Sequence, residues 1–86
     1  MIQKSFDINI AREISTGKRI GRILTKSGCN VRLFCWDTKG LYPIAGLIDR
    51  GEFEQAGLWD NSGKSDFRPN VHTSNDLVIE VEGGEA

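Results

Sequence analysis

Lys26-Ser27-Gly28-Cys29-Asn30-Val31-Arg32-Leu33-Phe34-Cys35-Trp36-Asp37-Thr38-Lys39-Gly40 sets a run of sheet-favouring residues between two polar triplets that each end in glycine. Glycine takes positive φ without a Cβ clash, so a polar pair followed by Gly suits a hairpin tip closed by a left-handed residue. The same punctuation recurs along the chain. Gly17, Gly28, Gly40, Gly51 and Gly63 fall 11, 12, 11 and 12 residues apart, and Asn75 stands 12 after Gly63. The segments between these points read as strands of an antiparallel β-meander. They differ too much from one another to be repeats, and hairpin geometry is enough to explain the spacing.

Outward from that stretch, the chain reads as one small β domain over 1–86. Segment 1–17 is an amphipathic N-terminal piece. Asp7 is a candidate N-cap, and Ile8, Ala11 and Ile14 follow at helical spacing, which predicts one short helix. Alternation of Phe6, Ile8 and Ile10 also fits a strand. Residues 18–60 hold a four-stranded meander, 64–75 an irregular loop around Phe67 and Val71 broken by Pro69, and 76–82 a last strand with Leu77, Ile79 and Val81 inward. The architecture expected is a mostly β domain whose meander closes into a small barrel, SH3-like or similar, with the helix docked on it.

If Gly28, Gly40 and Gly51 each close a three-residue loop, the register follows. Arg22 lies opposite Arg32, Phe34 opposite Ile44, Leu33 opposite Ala45, Leu47 opposite Phe53 and Ile44 opposite Ala56. One face then carries Val31, Leu33, Cys35, Ala45, Leu47 and Phe53, and the other Phe34, Trp36, Tyr42, Ile44, Ala56 and Leu58. Both faces are apolar, so each needs a cover. A slip of one residue exchanges them.

Composition bounds the function. The chain has 86 residues, 38% hydrophobic and 27% charged, with a formal net charge of −1. Charge is uneven: residues 1–50 carry +5 and residues 51–86 carry −6. No apolar run approaches the roughly 20 residues that span a bilayer, and no leader pattern precedes the domain. A cytoplasmic protein with no membrane partner is expected, its two cysteines reduced.

No catalytic constellation can be named, so the expectation is a protein that is not an enzyme. Cys29, Cys35 and His72 are too few and too far apart for a structural zinc site. Most of Asp37, Asp49, Asp60, Asp66 and Asp76 sit at turns, where the side chain bonds nearby backbone. No glycine spacing matches a phosphate loop, and no cofactor is expected. Two surfaces remain. A basic and aromatic neighbourhood of Lys18, Arg19, Arg22, Arg32, Phe34 and Trp36 could meet phosphates and bases, unless Glu54, Glu80 or Glu82 neutralises the arginines and the aromatics are core. Trp59 with Phe67 in the 64–75 loop could form a protein-binding surface, unless Trp59 plugs the interior.

Gly28-Cys29-Asn30-Val31-Arg32-Leu33-Phe34-Cys35-Trp36-Asp37, followed by Gly40-Leu41-Tyr42-Pro43-Ile44-Ala45-Gly46-Leu47-Ile48 and by Asp76-Leu77, resembles short uncharacterised proteins carried by phages and mobile elements of gut anaerobes. The resemblance covers about half the chain and carries over no catalytic residues. It implies an accessory protein in the cytoplasm of a bacterial host that binds a host protein, including components of defence systems. Nucleic-acid binding through the basic and aromatic face ranks second, and self-association of the two-faced sheet, giving a homodimer, is the third reading.

Overall fold

A computed structural model describes residues 2–66, 68 and 70–82. The order is β1 (Ile2–Ser5), α1 (Ile8–Ser15), β2 (Gly21–Thr25), β3 (Val31–Cys35), β4 (Ile44–Asp49), β5 (Glu54–Trp59) and β6 (Leu77–Val81). The strands form two antiparallel three-stranded sheets, β1-β6-β2 and β3-β4-β5. The four strands expected within 18–60 are all present, but β2 belongs with β6 rather than with β3. Among the described residues neither sheet closes on itself.

The helix forms where its cap and spacing place it. Asp7 is extended and its carboxylate accepts the backbone N–H groups of Asn9 and Ile10, at 2.9 and 3.2 Å. Two donors left open at the helix start are thereby satisfied. The strand alternative over Phe6–Ile10 is set aside by this cap. β1 is the element that the pattern concealed, since four exposed residues are too few to show a period.

All five glycines of the beat have positive φ, from 81° to 115°, and no other described residue does. The turns are where they were expected, yet the registers differ. Between β4 and β5, Asp49 pairs with Glu54 and Ile44 with Trp59, three residues from the expected register. The N–H of Arg50 donates to the carbonyl of Phe53 at 2.9 Å, so Gly51 opens a two-residue loop instead of closing a three-residue one. Glycine at the first central position is what such a loop requires.

Between β3 and β4, Leu33 pairs with Gly46, and a bulge at Phe34 brings Cys35 opposite Ala45. Pro43 has no N–H to give to a ladder, so the hairpin opens into a longer 36–43 connection. Its ends are tied by the Thr38 N–H donating to the Pro43 carbonyl at 2.9 Å.

Ile44 and Ile48 therefore join Val31, Leu33 and Trp59 on the inner face, while Ala45 and Leu47 turn outward with Phe34, Ala56 and Leu58. The inner face meets Ile23, Leu77 and Ile79 of the other sheet and Ala11 of α1 in one core. Leu77, Ile79 and Val81 are all buried, as their alternation predicts. Among the described residues, only one of the two apolar faces of β3-β4-β5 is covered.

Candidate functional site

The hairpin from β2 to β3 keeps its expected register at the turn. Leu24 bridges Asn30, and the Thr25 N–H donates to the Cys29 carbonyl at 2.9 Å. Beyond that bridge no ladder joins the two strands. β2 turns to β6 and β3 to β4, so Arg22 does not stand against Arg32. Arg22 lies across from Glu80, with Nε 3.7 Å from its carboxylate, and Arg32 reaches across Leu47 to Glu54 at 2.6 Å. Neighbouring-strand glutamates thus neutralise both arginines, and because the pairs are exposed each contributes little to stability.

The divergence leaves a cleft of about 460 Å³ floored by Ile14 and Ser15 and walled by Gly21–Ile23 and Asn30–Phe34. It brings Arg22, Arg32 and Phe34 together by another route than strand pairing. Lys18 and Arg19 are not part of it. They edge a separate shallow depression with Glu13 and Glu82, and Arg19 Nε bonds the Glu13 carboxylate at 2.9 Å. Trp36 is half-buried against the core beneath the Arg12 guanidinium, 5.6 Å from the ring centroid.

Trp59 is 1% exposed. Its indole N–H donates to the Asn75 carbonyl at 2.7 Å, so the ring belongs to the core and pins the 64–75 segment instead of offering a surface. Phe67, the other residue assigned to that surface, lies outside the described residues. What holds the segment is Asp76, which in the sequence looks like one more turn carboxylate. It is 2% exposed and accepts the backbone N–H groups and hydroxyls of Ser65 and Thr73, at 2.9 to 3.2 Å. Burial disfavours its charge, but these four donors outweigh that and hold its pKa below the usual carboxylate value. His72 is exposed, with Nδ1 4.0 Å from Asp76. Asp66 is drawn down to about 2 by the bidentate Arg68 guanidinium and the Arg68 N–H.

Both cysteines are free thiols and half-buried. The Ser27 hydroxyl, opposed by burial and helped by Arg50, draws Cys29 below the ordinary thiol value. Cys35 lies 3.2 Å from the Thr38 hydroxyl. Among the described residues no three His, Cys, Asp or Glu side chains converge as metal ligands, and no helix is long and apolar enough to cross a membrane.

A further open feature is the outer face of β3-β4-β5. Phe34 is 66% and Leu58 50% exposed, with Ala45, Leu47 and Ala56 between them. Above Gly46 and Gly57, which project nothing outward, this face forms an apolar groove of about 440 Å³. No family model matches the chain, and no curated protein or solved structure is significantly similar to it.

Proposed function

We propose that the chain is a small non-enzymatic binding module whose partner is another protein. The observation that carries this reading is the open apolar face between Phe34 and Leu58, because contiguous exposed apolar surface on a small domain is characteristic of an interaction site. The use of its carboxylates agrees: Asp49, Asp60, Asp66 and Asp76 are all engaged in bonding backbone N–H groups. In this reading the two sheets are halves of an incomplete barrel-like wrap of SH3-like kind, hinged at the Leu24–Asn30 bridge. The resemblance to phage and mobile-element proteins puts the partner in the cytoplasm of a bacterial host, with a defence component as the leading class.

Affinity capture from an extract of such a host tests this. The wild-type chain should retain a discrete protein that Phe34→Asp/Leu58→Asp, still folded by circular dichroism, fails to retain. Capture of nothing, or equal capture by the variant, would overturn it.

Self-association is the second reading, favoured by the outer edge of β5. That strand has a partner on one side only among the described residues, and Ala56 at its middle is exposed and uncharged. Sedimentation at several concentrations separates the two readings. Nucleic-acid binding is weaker, because the chain as a whole, at a formal net charge of −1, lacks the basic excess that a phosphate backbone calls for.

A further inference from the structure

We propose that the cleft between the diverging edges of β2 and β3 receives an extended, acidic segment of a partner protein as an added strand. This rests on the reading of the chain as a protein-binding module and names the chemistry of what is bound.

The backbone argues for a strand. The Thr25 N–H points at Cys29, so alternate residues of β2, Ile23 and Gly21, turn their N–H and C=O groups toward β3. The Asp49 N–H donates to the Asn30 carbonyl at 2.8 Å, so Asn30 and Arg32 face β4, while Val31 and Leu33 turn theirs toward β2. Had the hairpin continued, Gly21 would pair with Leu33. Instead the sheets splay apart there, and two edges with matching polarity face each other across the cleft. Adding a strand to an exposed edge is a general mode of peptide recognition, in which main-chain bonds give affinity and alternate side chains give specificity.

The lining argues for the side chains. Ile14, Ile23, Val31 and Leu33 supply apolar lining beside Ser15 and Asn30, whereas the rims carry Arg22 and Arg32, and among the described residues no Asp or Glu lines the cleft. A ligand strand that alternates small apolar residues inward with acidic residues outward is complementary to both. Each guanidinium is itself exposed and can turn from its glutamate to a ligand carboxylate with little loss, since such surface pairs are weak. Phe34 belongs to both the cleft rim and the open face, so a partner seated in the cleft would run onto that face.

The test is a random-decamer peptide display library selected against the full chain, followed by amide NMR of the chain with the best synthetic peptide. Selected peptides should alternate Asp or Glu with small apolar residues. The bound peptide should shift the Gly21, Ile23 and Leu33 amides and slow hydrogen exchange at Gly21 and Leu33 by at least about tenfold, a free energy of about 1.4 kcal/mol. Arg22→Glu/Arg32→Glu should weaken binding at least about tenfold, whereas the same charge reversal at Lys39→Glu, on the exposed 36–43 connection outside the cleft, should leave it unchanged. Peptides without acidic bias, shifts centred on Leu58, or no enriched sequence would each overturn the proposal. So would a single-stranded oligothymidylate that moves the same amides and displaces the peptide. Host capture that depends on Leu58 while cleft peptides fail would leave the binding module standing without this strand site.

Discussion

Asp76 shows how one side chain can hold a long segment whose described residues form neither helix nor strand. Its carboxylate collects donors from Ser65 and Thr73, its carbonyl accepts the Lys26 N–H at 2.8 Å, and its neighbour Ser74 accepts from Ser27 at 3.1 Å. The 64–75 segment, the start of β6 and the β2–β3 turn thereby meet at one buried charge. Removing the carboxylate orphans those donors, which costs about 1–3 kcal/mol in a buried site. Asp76→Ala should lower stability by about 2–3 kcal/mol in urea titration. Folding lowers the carboxyl's proton affinity, so its contribution is complete above the unfolded value of about 3.9 and drains away as pH falls below it. Asp76→Asn should therefore lose less stability than wild type between about pH 5 and 2; parallel acid limbs would contradict the assignment. The sequence shows Asp76 only as a turn residue, because two of its four donors lie 11 residues back at Ser65 and no local pattern signals a long-range bond.

At the scale of elements, turn positions were legible and turn types were not. Positive φ at Gly51 follows from the residue, but whether Gly51 opens or closes its loop depends on the Asp49 carboxylate accepting the Gly51 N–H at 2.8 Å and on the Arg50–Phe53 bond. That choice moved Trp59 opposite Ile44 and so into the core. Gly57 records the result. On the inner face of β5 the Trp59 ring folds over it, and a Cβ there would stand 2.6 Å from Trp59 Cη2. Gly57→Val should cost about 2–4 kcal/mol by displacing the indole, despite the better β propensity of valine. Chemical denaturation with Trp fluorescence reads both quantities; an unchanged midpoint would mean that the ring is not held as described. Legibility was better where the period was long enough: Asp7, Ile8, Ala11 and Ile14 gave the helix, and Leu77, Ile79 and Val81 gave the inward face of β6. The arginine neighbourhood survives as a cleft, although Arg22 and Arg32 meet because two sheets part, which no pairing rule anticipates.

For the whole molecule, the covered and open faces of β3-β4-β5 divide stability from recognition. Its inner side packs against α1 and the other sheet, and changes on its outer side should leave the fold standing. The two sheets also differ in how they are built. β3, β4 and β5 follow one another both in sequence and in the sheet, so their pairings are local. β6 lies between β1 and β2, pairing Ile79 with Lys4 on one side and with Ile23 on the other. A chain ended at Asp76 should therefore lose the β1-β6-β2 sheet, and with it the cooperative unfolding transition. A synthetic peptide of residues 76–82 supplied in trans should restore part of it, whereas a truncated chain with native amide dispersion would refute this. During synthesis the same arrangement imposes an order of assembly. The local sheet can form as it leaves the ribosome, but the N-terminal strands stay without their common neighbour until the strand furthest along the sequence emerges. β1 and β2, although made before β3-β4-β5, are thus secured after it, and until then their backbone is open to whatever else can pair with it.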